Sequence, residues 1–165
     1  MTIIESKTSP IEATIYDEAH EKQVPIEIYQ MLMPDKKQKG ELVKTWVISA
    51  LYSKCICAFS DTSKGLTAQD KRLMGRLIEL QFPLREKEGV YEIDVWFGIE
   101  GCYHKYFFGS FEVDTDINLA EACCQELAWV FQNREALYEI TNGLDLCSGE
   151  AELRCTRCGC ESNIA

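Results

Sequence analysis

The sequence lacks the motifs by which several large classes of enzyme are identified. It has no glycine-rich phosphate loop, no dinucleotide-binding fingerprint and no hydrolase nucleophile elbow. Only two histidines, His20 and His104, are present, so few side chains titrate near neutral pH. These absences remove the usual sequence support for nucleotide-dependent or hydrolytic chemistry, and they favour a protein that is not an enzyme.

Long hydrophobic runs are also missing. No uninterrupted apolar stretch approaches the roughly 18–20 residues that a membrane-spanning helix needs. The opening residues, MTIIESKTSP, contain no apolar segment behind basic residues, as a secretory signal would. Nine cysteines without an export signal are most simply reduced thiols, and their odd number argues against a fully paired disulfide framework. We therefore expect a cytoplasmic protein without membrane contact.

Positive charge is scarce as well. The net charge is −10, and between residues 112 and 152 ten acidic residues are opposed only by Arg134. A field of this sign repels nucleic-acid phosphates, so we expect no nucleic acid as a partner and favour a basic protein. An alternative interpretation, in which the acidic charge only keeps a small protein soluble, stays open.

The chain does contain enough apolar material for one domain. Its 165 residues are 46% hydrophobic, which suits a single core. We expect a flexible N-terminus (1–9), one α+β domain (10–143) and a cysteine-rich C-terminal tail (144–165). In that domain, helices pack on an antiparallel β-hairpin or small sheet, and the last element is a long helix.

Apolar residues at helical spacing predict four helices. For residues 45–59, which overlap the predicted helix 41–57, frequent Val, Ile and Tyr favour a strand as the competing interpretation. The third helix begins with Thr67 and Asp70, whose spacing resembles a capping box. The predicted helices are a short one between Pro10 and Pro25, then 41–57, 67–81 and 117–141.

Strict alternation marks the segment 90–113 as a β-hairpin. Apolar and polar side chains alternate over 90–99, Glu100-Gly101 suits a tight turn, and 103–113 returns as an aromatic second strand. One hairpin is not stable alone, so it must pack on helices or pair with another strand.

Four cysteines near the C-terminus form the most distinctive chemical cluster, with the spacing C-x7-C-x2-C-x-C: Cys147, Cys155, Cys158 and Cys160. Zinc prefers four tetrahedral ligands, and C-x2-C supplies two of them from one turn. The spacing therefore predicts one structural zinc ion, which would hold a tail too polar to fold by apolar burial. Two alternatives stay open, namely reduced cysteines in a mobile tail and redox or disulfide chemistry.

The other cysteines suggest packing more than ligation. A second metal site would require Cys55 and Cys57 to meet Cys102 and His104. Cysteine is, however, among the residue types most often buried, and it behaves as a small hydrophobe. The same interpretation applies to the adjacent cysteines at 123–124, whose side chains diverge on a helix.

Two alternative functions follow from other patterns. A winged-helix DNA-binding regulator would use helix 67–81 for recognition and hairpin 90–113 as its wing, although residues 61–90 carry little net positive charge. A small enzyme would centre on His104 instead, with Cys102 or a strand carboxylate as its neighbour, either Glu92 or Asp94.

The favoured function is a non-enzymatic cytoplasmic interaction or regulatory protein that binds a basic protein partner. Aromatic residues concentrate in interface hot spots, and the hairpin and late helix carry many of them. A well-filled aromatic core is the alternative interpretation, and it stays open. The predicted contact residues are aromatic and acidic: Trp96, Tyr106, Phe108, Trp129, Glu121, Glu126 and Glu135.

Overall fold

The computed structural model describes residues 11–18, 21–59, 65–100 and 105–141. Within these ranges the chain forms a six-stranded antiparallel sheet with four helices, which confirms the expected mixed α+β class. The expected flexible N-terminus (1–9) lies outside the described residues, as does the cysteine-rich tail (144–165).

Each strand of the sheet pairs with the next strand in the chain, so β1 and β6 form the two edges. The strands are β1 (Ile11–Asp17), β2 (Lys22–Pro34), β3 (Leu42–Leu51), β4 (Leu77–Lys87), β5 (Val90–Ile99) and β6 (Tyr106–Asp114). Two helices connect β3 to β4, and two more follow β6. They are α1 (Tyr52–Phe59), α2 (Ala68–Leu73), α3 (Leu119–Gln132) and α4 (Arg134–Thr141).

One face of the sheet packs against the helices and forms the main core. In β2, Val24 and Ile28 are buried on this side, whereas the intervening Glu27 is exposed. Tyr52 of α1 meets Phe131 of α3 edge to face, with ring centroids 5.5 Å apart. We call this side the helix-covered face, and the side on which no described helix packs the helix-free face.

The helix predicted over 41–57 is wrong in its first two thirds, because Leu42–Leu51 are β3 and helix α1 begins only at Tyr52. β3 lies inside the sheet and is buried on both faces, through Ile48 on one and Val47 on the other, each 1% exposed. A strand buried on both faces reads as a nearly continuous apolar run, which matches a helical stripe equally well. The competing strand interpretation is correct up to residue 51.

The helix expected between Pro10 and Pro25 is also wrong, because β1 and β2 occupy that region. Thr14 lies opposite Pro25 in the register of these two strands. β1 is an edge strand that is exposed along most of its length, so no buried face imposes a strict alternation and its few apolar residues fit a helical spacing by chance.

Only the start of the helix predicted over 67–81 forms. Thr67 and Asp70 make the predicted capping box at the N-terminus of α2. The helix ends at Leu73, and Gly75 turns the chain with a φ of 81° that favours glycine. The remaining residues of this segment belong to β4, so α2 is all that forms of the recognition helix in the winged-helix alternative.

The late elements agree with the sequence in type but differ in continuity. β5 and β6 are antiparallel neighbours with a bulge at Val95/Trp96, and they are the last two strands of the larger sheet. The single helix predicted over 117–141 is divided at Asn133, whose side-chain amide donates to the Trp129 carbonyl at 2.9 Å. None of the helices in the described ranges is long and apolar enough to cross a membrane.

Candidate functional site

Four glutamates line a cleft of about 690 Å³ on the helix-free face. Glu12, Glu27 and Glu79 lie in one row across β1, β2 and β4, with Ser49 of β3 between the last two. Glu100, which directly follows β5, adds a fourth carboxylate. We call this feature the acidic cleft.

The strand spacing keeps these carboxylates apart. Neighbouring strands are about 4.8 Å apart, so the backbones of Glu27 and Glu79, two strands apart, are separated by roughly 10 Å. This spacing suits two separate cationic groups better than one ion, whose ligands lie at about 2.0–2.6 Å. In the described ranges, no group of three or more Asp, Glu, Cys or His side chains is placed to hold a metal ion.

Tyr29 reports the electrostatic field of the acidic cleft. Burial raises the pKa of its phenol to about 12, and the charges of Glu79, Glu27 and Glu100 act in the same direction. Lys105 lies close to one of these carboxylates, with its Nζ 3.6 Å from Glu79 Oε2. The carboxylates therefore act together at one point of the cleft.

The loop between β2 and β3 (residues 35–41) lies over the neighbouring part of the helix-free face. Its Asp35 forms an ion pair with Arg85 of β4, and its Lys37 places Nζ 3.1 Å from Asp94 Oδ1 of β5. Arg85 Nη1 also donates to Asp94 Oδ2 at 3.0 Å. Asp94 thus binds two cations although its side chain is only 4% exposed. We call this segment the lysine loop.

Asp35 forms two hydrogen bonds within the lysine loop. Its backbone N–H donates to the Glu41 carbonyl at 2.9 Å, and its carboxylate accepts from the Lys37 amide at 2.8 Å. Burial alone would raise the pKa of Asp35. The hydrogen bonds from the Lys37 amide and the Arg85 guanidinium outweigh that effect and lower the pKa below its ordinary value.

Two aromatic side chains lie beneath the lysine loop. Trp96 and Phe107, opposite each other on β5 and β6, make an edge contact with ring centroids 5.2 Å apart. Lys36 Nζ lies 4.8 Å from the Trp96 ring centroid, and Lys37 Nζ lies 5.9 Å from that of Phe107. Both separations are within the range of cation–π attraction.

Gln81 of β4 connects the lysine loop with the acidic cleft. Its side chain is buried, its Oε1 accepts from Lys36 Nζ at 3.3 Å, and its Nε2 donates to Glu79 Oε2 at 3.4 Å. Burial and the nearby charge of Lys105 lower the pKa of Lys36. The two features are therefore linked by hydrogen bonds to a single amide side chain.

The structure separates the predicted aromatic contact residues. Tyr106 and Phe108 are 4% and 8% exposed and belong to the core, and their role as partner contacts stays a prediction. Trp129 of α3 is 46% exposed and meets Phe108 edge to face at 5.1 Å. Trp96 lies on the opposite, helix-free face. The aromatic hairpin therefore presents no single aromatic surface, because successive side chains of a strand point to opposite faces.

The predicted acidic contact residues lie on the helices. Glu121 is in the first turn of α3, where its backbone N–H donates to Asn118 Oδ1, and Glu135 is in the first turn of α4. Both are exposed, whereas Glu126 is half-buried and burial raises its pKa. None of these three shares a face with Trp96.

The predicted metal ligands fall largely outside the described residues. The four cysteines of the zinc prediction lie outside these residues, and that site stays a prediction: Cys147, Cys155, Cys158 and Cys160. Cys102, His104 and His20 also lie outside them, so the enzyme alternative stays a prediction as well. On α1, Cys55 is fully buried while Cys57 is exposed, and on α3 Cys123 is fully buried. Burial of this kind agrees with the packing interpretation.

Sequence reasoning missed the acidic cleft because its glutamates are scattered along the chain. Their row appears only when the register of β1 to β4 is known. The one local signal lies in residues 26–33 (IEIYQMLM), where Glu27 and Tyr29 alternate with Ile26 and Ile28, the pattern of a half-buried strand. Comparison with protein-family models, with curated proteins and with solved structures gives no significant match to this chain.

Proposed function

We propose that this chain is a non-enzymatic cytoplasmic interaction protein, regulatory in role, that binds a basic protein partner in the acidic cleft. The observation that carries this proposal is the row of glutamates from β1, β2 and β4, joined by Glu100, around one open volume of about 690 Å³. The charges of Glu79, Glu27 and Glu100 add to burial in raising the pKa of Tyr29, and this negative field, which a bound cation would relieve, supports the proposal.

The dimensions of the acidic cleft fit an extended basic segment. In an extended chain, alternate side chains on one side are roughly 7 Å apart. Long lysine or arginine side chains have enough reach to adapt that spacing to the roughly 10 Å between Glu27 and Glu79. A cationic peptide would therefore meet two carboxylates with consecutive side chains on the same side.

The acidic helices contribute to this function at longer range. Ten acidic residues with only Arg134 against them lie between 112 and 152. Net charge of one sign accelerates the diffusional encounter of oppositely charged partners and makes the rate depend on salt. In this proposal Glu121 and Glu135 attract the partner, whereas the residues of the acidic cleft hold it.

The test compares two pairs of substitutions that remove the same charge. A fluorescently labelled lysine decapeptide is titrated with the wild-type chain, with Glu27→Gln/Glu79→Gln and with Glu121→Gln/Glu135→Gln, and binding is followed by anisotropy at low and at physiological salt. The cleft pair should weaken binding about tenfold, as expected for the loss of two ion pairs. The helix pair should mainly slow association.

Equal weakening by both pairs would mean that the peptide senses only net charge, and the proposed site would be wrong. A larger effect of the helix pair would place the contact on α3 and α4. Tight binding of duplex DNA by the wild-type chain at physiological salt would contradict the choice of a basic partner altogether.

A further inference from the structure

The lysine loop is itself a short basic segment bound to an acidic and aromatic surface. Its residues Lys36 and Lys37 place their ammonium groups against Trp96, Phe107 and Asp94. These contacts combine the two interactions that proteins use for a lysine, an aromatic face and a carboxylate. The helix-free face therefore shows, with the chain's own residues, how it would hold a lysine from a partner.

The subsite under the lysine loop and the acidic cleft are joined by one buried side chain. Gln81 touches Lys36 with its oxygen and Glu79 with its nitrogen, so that the two features share a hydrogen-bonded side chain. Glu79 and Gln81 are also consecutive residues on the helix-free side of β4, about 7 Å apart along the strand. An extended chain that occupies the cleft can thus continue towards Trp96.

Trp96, which contacts Lys36 of the lysine loop, carries one unsatisfied polar group. The indole Nε1 of Trp96 is buried and has no hydrogen-bond partner among the described residues. A buried donor without an acceptor carries a desolvation cost. The backbone carbonyls of a bound peptide would offer the acceptor that the loop does not supply.

We propose that Trp96, Phe107 and Asp94 form a second lysine-binding subsite of the helix-free face, which Lys36 and Lys37 fill in the free protein. The proposal rests on the proposed function and extends it, because it identifies the partner as a lysine-rich segment that competes with the lysine loop. Binding displaces Lys36 and Lys37, whereas the ion pair between Asp35 and Arg85 keeps the base of the loop attached.

The experiment removes the internal competitor. Lys36→Gln/Lys37→Gln should bind the labelled lysine decapeptide roughly tenfold more tightly than the wild-type chain, because the subsite is vacated. The matched control is Lys39→Gln/Lys44→Gln, which removes the same charge from two exposed lysines of the same region. This control should gain about twofold, from net charge alone.

A third variant identifies the subsite. Phe107 is 42% exposed, so Phe107→Leu should fold normally. Combined with Lys36→Gln/Lys37→Gln it should cancel most of the gain in affinity. As an independent readout, the indole N–H resonance of Trp96, assigned from a Trp96→Phe spectrum, should shift when the decapeptide is added to the wild-type chain.

Each outcome decides between the two proposals. If Glu27→Gln/Glu79→Gln weakens binding but the loop variant gains no more than its control, the internal competitor is wrong and the acidic cleft stands. If the gain persists in the Phe107→Leu background and the Trp96 resonance does not move, the subsite is misplaced. If the decapeptide binds to none of the variants, both proposals fail.

Discussion

Arg85 and Asp94 form an ion pair across β4 and β5, with Nη1 3.0 Å from Oδ2. The Asp94 side chain is 4% exposed and that of Arg85 is 20% exposed, so the pair is largely shielded from solvent. Because Arg85 also binds Asp35, one guanidinium pairs with two nearly buried carboxylates. This arrangement attaches the lysine loop to the sheet.

Arg85→Met should therefore destabilise the protein strongly. It leaves the carboxylates of Asp35 and Asp94 without the cation that they share, and breaking a buried pair in this way costs about 3 kcal/mol. Chemical denaturation would measure the free energy of unfolding. Arg72→Met on the exposed side of α2 is the matched control and should change it by less than about 0.5 kcal/mol. A loss for Arg85→Met no larger than the control's would contradict the role of the pair.

Tyr52→Phe should destabilise the core by about 1–3 kcal/mol. The Tyr52 hydroxyl donates to Asp70 Oδ1 at 2.7 Å, and both residues are fully buried. In the variant, Asp70 still accepts a hydrogen bond from the Thr67 amide at 3.0 Å and lies 3.7 Å from Arg134. It loses the hydrogen bond from the Tyr52 hydroxyl. Thermal unfolding would measure the change, with Tyr16→Phe as the exposed control. Equal melting temperatures for the two variants would show that the hydroxyl contributes nothing.

Tyr29 should make the protein lose stability at alkaline pH. Its pKa is raised from 10.0 to about 12 in the folded state, so its contribution is complete below pH 10 and is lost as the pH rises towards 12. The free energy of unfolding should fall by about 2 kcal/mol over this interval because of Tyr29, less than two full pKa units would give, since the half-buried phenol is partly screened by solvent. Tyr29→Phe should reduce the slope, and the difference in near-ultraviolet absorbance between the two proteins should titrate near pH 12.

Glu79→Gln gives a second check on the same group. It removes one of the three carboxylate charges at Tyr29, so the pKa of the phenol should fall. It should stay above 10.0, because burial is the largest cause of the shift. A titration of Tyr29 at its ordinary pKa in the wild-type protein would contradict the geometry of the acidic cleft.

The cysteines of α1 and α3 should differ widely in reactivity towards iodoacetamide. Cys55 and Cys123 are fully buried, and burial raises the pKa of Cys55 to about 12 and that of Cys123 in the same direction. Cys57 is exposed. Because the thiolate is the reactive form, Cys57 should be alkylated in the native protein and the two buried thiols only on unfolding. Peptide mass spectrometry over time would follow each site, and equal rates in native buffer would contradict the burial.

The C-terminal cysteines lead to a prediction from sequence alone. Protein purified without chelator should contain about one zinc ion per chain, as four thiolates in the spacing of Cys147, Cys155, Cys158 and Cys160 require. Cys155→Ser and Cys158→Ser should each lose the metal, whereas Cys57→Ser should retain it. Elemental analysis that finds almost no zinc in reducing buffer would show that these cysteines hold no structural metal.

Local chemistry was enough to predict some elements. Strict alternation predicts a strand over 90–99 and the turn after it predicts a returning strand over 103–113, and β5 and β6 (Tyr106–Asp114) are antiparallel neighbours there. The capping box of Thr67 and Asp70 forms because its hydrogen bonds join residues only three positions apart. In both cases the signal lies within one short, continuous segment of the sequence.

The mixed α+β class and the acidic charge follow from the sequence by itself. Tertiary structure alone decided that residues 42–51 are a strand, since β3 is stabilised by neighbours distant in the chain. It also decided which face each side chain occupies, and so separated Trp96 from Phe108 and Trp129. The acidic cleft and the seat of the lysine loop depend on strand register, and a shift of one residue would reverse every face.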